Sequence, residues 1–198
     1  MSYLKAAAGK MARKIEWHAA QKPIVINKRL VFERPLNGKI QLLDCQVPVQ
    51  FRALSAEDQV SCVSKEYIDD IIDLIKHKNI LVKGFVHEKD VCQLEVTCRE
   101  EEIVALIPPF CSANRAAFIY NCYTHPDYRG YNLYPAALSW LLSCIRVQGF
   151  KRAFLRTHPR NTSSIKGAVK AGFNLRGAIY HCSFFGFNPR PVTVKRRN

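Results

Sequence analysis

Carboxylates are nearly missing from half of this chain. Residues 103–198 carry fourteen Lys and Arg side chains and a single acid, Asp127. Residues 1–102 are balanced, with sixteen basic and fifteen acidic side chains, so the formal charge of +14 is lodged in the second half. Glycine (9) and proline (10) are few among 198 residues, which excludes a collagen-like or low-complexity scaffold. No apolar run approaches the ~18 residues needed to cross a bilayer, and Met1–Lys14 is basic without the apolar stretch that directs secretion. The cysteines form no C-x-x-C pair and no Cys/His cluster at zinc-finger spacing, so no metal site is expected. Cys92 and Cys144 sit in apolar runs, as free thiols do in a reducing compartment, and a cytoplasmic location is the expectation.

A hydrophobic content of 48% with 11% aromatics supplies one sizeable core. The reading is a basic N-terminal extension over 1–46, one domain over 47–187 and a basic tail over 188–198. Concentrated positive charge favours a polyanionic partner: nucleic acid, anionic lipid or a phosphorylated cofactor. A nucleic-acid-binding role is the least favoured functional reading, because no helix-turn-helix, RNA-recognition or zinc pattern is present.

Hydrophobic periodicity supplies the elements. Arg29–Glu33 and Lys39–Leu43 flank Asn37-Gly38, a dipeptide suited to a tight turn, and predict an N-terminal β-hairpin. Val47–Leu54 reads as a strand. Ser55 caps a helix start, and Lys65–His77 has helical spacing. Ile80–Val86 and Val91–Cys98 predict a hairpin across residues 87–90, and Glu100, Glu101 and Glu102 read as a solvated strand end. Ala116–Thr124 is a strand, Pro135–Gln148 a helix stopped by Gly149, Arg152–Thr157 a strand, Asn161–Ala171 a helix closed by Gly172, and Phe173–Phe187 one or two further strands. The class is therefore α/β (α+β), a mixed sheet flanked by helices.

The informative stretch is Ala117–Gln148, a strand ending in Tyr123-Thr124-His125-Pro126-Asp127-Tyr128, then Arg129-Gly130-Tyr131-Asn132-Leu133-Tyr134 and an apolar helix. A basic residue and a turn at a helix N-terminus present free N–H groups and the positive end of the dipole, which is an anion site. His125 and His158 each precede a proline and read as turn residues.

Together with Asn161 and the helix closing in Lys170-Ala171-Gly172-Phe173, this stretch resembles the GNAT N-acetyltransferase superfamily. The resemblance covers Val47–Phe187 and is sharpest from Ala117 to Phe173. It implies a single-domain, mostly antiparallel sheet opened into a V between Ala116–Thr124 and Arg152–Thr157, with acetyl-CoA as co-substrate in the opening. It further implies that the backbone of Cys122, Tyr123 and Thr124 pairs with the pantetheine arm and that the Thr124 N–H polarises the thioester carbonyl. Residues Arg129, Gly130, Tyr131, Asn132, Leu133 and Tyr134 would wrap the diphosphate, with Asn161 and Ser164 near the pantetheine.

Three positions depart from the family pattern. Asn132 and Tyr134 replace glycines of the loop. Asn tolerates a left-handed conformation, whereas the Tyr134 ring must point away from the phosphates for the cofactor to fit. Ala168 stands where many members carry a tyrosine that protonates the departing thiolate. A carboxylate base has to come from the N-terminal half, for example Glu95 or Glu100–Glu102, while Asn121 and Tyr123 could instead position a water; Asn121, Tyr123 and Glu102 are the catalytic candidates. The implied activity is acyl transfer from acyl-CoA to a primary amine of a small-molecule acceptor. A CoA-binding module without catalysis is the alternative, and the N-terminal hairpin could build the acceptor pocket or pair two subunits.

Overall fold

A computed structural model describes residues 24–54, 80–107, 110, 115–184 and 192–195. Eight strands form one sheet: β1 Ile24–Pro35, β2 Gln50–Leu54, β3 Ile80–Val86, β4 Lys89–Thr97, β5 Ala116–Thr124, β6 Arg152–Thr157, β7 Asn174–Phe184 and β8 Val192–Lys195. Their order is β2-β3-β4-β5-β6-β1-β7-β8, antiparallel throughout except for the β5–β6 pair. Parallel neighbours need a crossover, and helix α2 (Leu133–Val147) supplies it. Helices α1 (Glu100–Leu106) and α3 (Thr162–Lys170) complete the described helices. None of these is long and apolar enough to cross a membrane.

Two cores lie on the two faces of the sheet. Leu133, Leu138, Leu141, Leu142 and Ile145 of α2 pack with Ala117, Ile119, Ala153 and Leu155 on one face. Ile103 and Ile107 at α1 pack with Phe118, Phe154, Val31 and Ile179 on the other. Alternation along β5 and β6 therefore sends odd and even residues to different helices, as a pleated strand buried on both faces requires.

The predicted N-terminal hairpin does not form. Residues 24–35 make one twelve-residue strand inserted between β6 and β7, with Val31 and Phe32 buried. Each such apolar side chain contributes ~1.5–3 kcal/mol, more than an edge hairpin could bury. Glu33, itself buried, is held between Arg176 Nε at 2.7 Å and Arg152 Nη1 at 3.7 Å, and so ties β7 and β6 to the inserted strand. Residues 39–43 are not a strand. They run along α2, where the Leu43 amide donates to Ser139 Oγ and Arg146 donates to the Gly38 carbonyl.

Other boundaries shift too. The β3–β4 turn is tighter than expected, with His87 and Glu88 at φ 47° and 60° and β4 beginning at Lys89. The first strand of the expected 47–187 domain starts at Gln50 rather than Val47. Glu100–Glu102 form the first turn of α1 instead of a strand end, where three acids complement the helix dipole. Val192–Lys195, expected in a tail, pairs with Gly177–Tyr180 as β8. The helices expected near Ser55 and over Lys65–His77 lie outside the described residues. Gly172 closes α3 with φ 85°, while Phe173 N–H donates to Ala168 and Gly172 N–H to Val169. This pair of bonds is the glycine-terminated cap anticipated from the sequence.

Burial pushes the Cys92 thiol from an ordinary 9.0 up to about 12. An unfolded chain ionises this thiol from about pH 9 while the folded one keeps it neutral, so its contribution is intact below pH 9 and is lost as pH climbs towards 12. Urea midpoints at pH 8 and pH 10.5 should show the loss, ~1.4 kcal/mol per pH unit from this thiol. Cys92→Ala should flatten that slope.

Candidate active site

The site is made by a parting of strands. β5 and β6 pair only from Ala116↔Arg152 to Ile119↔Leu155, after which β5 runs on to Thr124 beside β4 and β6 runs on to Thr157 beside β1. A bulge marks the divergence: the β4–β5 register shifts between Gln93 and Glu95, and Asn121 adopts φ 44°. Beyond it, the His125 amide donates to Val91 on β4 at 2.9 Å. Because successive residues of a strand point their backbone groups to opposite edges, Thr124 and Cys122 face the edge that β6 has left.

That edge borders a cleft of about 750 Å³. Cys122, Tyr123 and Thr124 form its strand wall, Tyr128–Gly130 and Asn132–Pro135 its loop and helix end, and Asn161 to Lys170 of α3 the opposite wall. Asn132, at φ 66° and ψ 16°, is the N-cap of α2 in the left-handed region, and its side-chain amide donates to the Asp44 carbonyl. Asparagine thus keeps the turn that a glycine would make, as the sequence led us to expect. Among the described residues the amides of 130–134 donate to no backbone carbonyl, so the helix end offers its N–H groups to the cleft. Arg129 lines the same loop and donates through Nε to the Thr124 carbonyl at 3.1 Å.

Tyr134 crosses this cleft. Its ring lies against Gly167 of α3, so closely that a Cβ built at Gly167 would sit 2.8 Å from Tyr134 Cε1 and nearer still to Cδ1. Its hydroxyl is hydrogen-bonded to Ser164 on α3 and to Cys122 on β5, and burial holds the phenol well above its usual range, hence protonated. Cys122 lines the cleft and is exposed as a residue; packing around its thiol raises it to about 12, with the Tyr134 hydroxyl acting in the opposite direction. The ring therefore points away from the loop amides, as a bound diphosphate requires, but it narrows the passage between β5 and α3. Ala168 is fully buried and faces the core; its neighbour Gly167 is among the α3 residues that line the cleft, and the Tyr134 ring fills the space beside it.

The other candidates divide between two places. Tyr123 lines the cleft, half exposed. Asn121 and Glu102 instead meet at a second cavity of about 470 Å³ on the α1 face, lined also by Arg29, Leu106, Tyr120 and Arg156. Asn121 Nδ2 donates to Glu95 Oε2 at 3.1 Å, and Glu102 pairs with Arg99 at 3.3 Å. Asn161 Oδ1 accepts from the Ser164 amide at 3.1 Å, capping α3. His125 and His158 are turn residues, each accepting a backbone N–H at Nδ1. Lys166 of α3 was not singled out from the sequence, and Lys170 only as the start of the motif that closes the helix. Their four-residue spacing opposite a basic loop, in a segment poor in carboxylates, was the available signal.

No family model matches the sequence, and no curated protein matches it. Solved structures do. A GCN5-related N-acetyltransferase from Sphaerobacter thermophilus superposes with a TM-score of 0.50 at 10% identity, covering 90% of this chain and 56% of that one. A GCN5-related N-acetyltransferase from Kribbella flavida gives 0.50 at 11%, covering 80% and 59%. A Drosophila protein gives 0.53 at 8%, covering 89% and 57%. The chain has the GNAT fold. It spans little more than half the length of each of these three proteins. The parted strands, the loop at the α2 N-terminus and the helix after β6 fall in the order that the GNAT resemblance implied.

The residues present fit acetyl-CoA. The free amides and the cations Arg129, Lys166 and Lys170 suit a diphosphate, and the edge of β5 at Cys122 and Thr124, which among the described residues no strand pairs and where Arg129 already occupies the Thr124 carbonyl, suits an extended amide chain. One exchange is needed: the Tyr134–Cys122 hydrogen bond must yield to a ligand running along β5.

Proposed function

We propose that this protein transfers an acetyl group from acetyl-CoA to a primary amine. The observation that carries the reading is the departure of β6 from β5 after Leu155, which leaves the backbone of Cys122 and Thr124 facing a cleft whose foot is the N-terminus of α2. The co-substrate supplies an activated thioester. The chain supplies the rest: Gly130–Tyr134 amides with Arg129, Lys166 and Lys170 hold the diphosphate, and the open edge of β5 aligns the arm. The Thr124 N–H donates to the thioester carbonyl oxygen as negative charge develops there.

The amine nitrogen bonds to the carbonyl carbon, the carbon–sulfur bond breaks, and the pair of electrons leaves on sulfur. Glu102, on the α1 face beside Asn121, accepts the proton lost by the amine directly or through a water. Asn121 positions Glu95 or that water, and Tyr123 borders the path of the arm. The phenol absent at Ala168 has a counterpart: Tyr134 brings a protonated hydroxyl onto the same turn of α3 from the opposite wall, a hydrogen-bond donor for the departing thiolate.

A second reading, a CoA-binding module without turnover, is favoured by the Tyr134–Cys122 bond that spans the cleft. The deciding experiment incubates the protein with acetyl-CoA and a panel of primary amines and follows free thiol. Amine-dependent thiol release is expected. Saturable binding of acetyl-CoA without release would select the second reading, and absence of both would sink the two together.

A further inference from the structure

The second cavity contains two cations that the chemistry above leaves unused. Arg29 on β1 and Arg156 on β6 line it together with Glu102, Tyr120 and Asn121. Among the described residues neither guanidinium meets a carboxylate: Arg156 Nη1 donates to the Leu106 carbonyl at 3.1 Å, and Arg29 Nη1 to Asn27 Oδ1 at 2.5 Å and the Lys28 carbonyl at 3.4 Å. Each of these bonds uses one nitrogen of a guanidinium that carries five N–H groups, so donors remain on both. Phe118 underlies Arg156, its ring centroid 5.9 Å from the guanidinium carbon, within cation–π range.

Two like charges facing one partly enclosed space repel. Arg156 is drawn below its ordinary value by burial and by Arg29, and His181 beside them is lowered by burial, Arg156 and Arg29. An anion placed between the guanidinium groups would relieve that repulsion. The cavity has the opposite sign on its α1 wall, where Glu102 stands, so it is suited to a molecule carrying both an amine and an anion.

Its position suits an acceptor. Asn121 lines this cavity and its neighbour Cys122 lines the cleft, so the two spaces flank β5 on opposite faces just past its divergence from β6. We infer that this cavity binds a small amine bearing a carboxylate or phosphate, with the anion on Arg29 and Arg156 and the amino group turned towards Glu102 and the β5–β6 gap. The inference rests on the acetyl-transfer reading for the amine's fate, and on the cavity alone for the anion.

Equilibrium binding tests it independently of turnover. The probes are β-alanine, 3-aminopropylphosphonate and n-propylamine, titrated into the full chain and followed by protein chemical shifts. The two anionic amines should bind and propylamine should bind at least tenfold more weakly. Arg29→Ala should weaken the anionic amines by about tenfold, and Arg156→Lys should retain part of the affinity that Arg156→Ala loses. Because Arg156 also ties the end of α1, Arg29→Ala is the arm that does not depend on that contact. Whether carboxylate or phosphonate binds more tightly identifies the anion. Equal binding of propylamine, no binding of either anionic amine, or unchanged affinity in both Arg29→Ala and Arg156→Ala would overturn the inference. Binding that behaves as expected without acetylation of any probe would leave the anion site standing and refute transfer to this class of amine.

Discussion

Replacing Gly167 by alanine is expected to destabilise this protein by about 2 kcal/mol, although alanine in a helix normally stabilises over glycine. The expectation follows from two opposing terms. Alanine gains ~1 kcal/mol of helix propensity at an interior position. Against this, its methyl would meet the Tyr134 ring at 2.8 Å or less, and the ring can move aside only by giving up its hydroxyl contacts with Ser164 and Cys122. Overpacking of this kind costs ~1–3 kcal/mol, with the upper part of the range apt where the neighbour is a tethered aromatic.

The sign should reverse once the ring is gone. Tyr134→Ala alone should cost ~2–3 kcal/mol for the loss of a partly buried aromatic packed against the core. In that background Gly167→Ala should stabilise by ~0.5–1 kcal/mol, so the double-mutant cycle should show a coupling of ~2.5–3 kcal/mol. Denaturant unfolding of the four proteins measures it. A stabilising Gly167→Ala in the wild-type background would mean that Tyr134 does not lie on α3, and the narrow passage between β5 and α3 would go with it.

The second large effect concerns the cleft's charge. Reversing both lysines in K166E/K170E should weaken acetyl-CoA by about a hundredfold. The two side chains lie one turn apart on the exposed face of α3 and line the cleft opposite the loop of residues 129–134. Four units of charge change at a site meant for a diphosphate and a further phosphate convert attraction to repulsion. Both residues are exposed, so the fold should survive the change. Added salt should weaken the wild type and narrow its advantage over the variant, as charge screening demands.

Local pattern carried much of this fold. The apolar run Ala116–Tyr120, the helix spacing of Leu138, Leu141, Leu142 and Ile145, and Gly172 after α3 each report their own element, and those elements stand close to where the spacing put them. Partners are another matter. The alternation of Arg29–Glu33 reports a strand with a buried face, but not which strands lie beside it. Its true neighbours, β6 and β7, come more than a hundred residues later, whereas Asn37-Gly38 offered a nearby and false solution. Glu100–Glu102 misled for a related reason: three consecutive acids resemble a solvated run, and only their place before Ile103, Leu106 and Ile107 makes them a helix start.

At the site, the loop and the capping Asn161 were visible as motifs, while Tyr134 was legible only as an obstacle. Gly167 held the missing half of that observation, since a glycine within a helix often marks a close approach, but nothing in one dimension says that the approaching group is Tyr134. The second cavity had no local signature. Arg29, Glu102, Asn121 and Arg156 come from four separate elements and meet only because β1 inserts next to β6 and α1 covers the opposite wall.

The cleft between the parted strands is proposed to receive a phosphorylated, extended ligand. Calorimetric titration of acetyl-CoA into the wild-type protein and into K166E/K170E tests it most directly. One site per chain, with the affinity falling about a hundredfold in the variant, is the predicted result. Absence of heat in the wild type together with unchanged spectra, or equal affinity in both proteins, would contradict it.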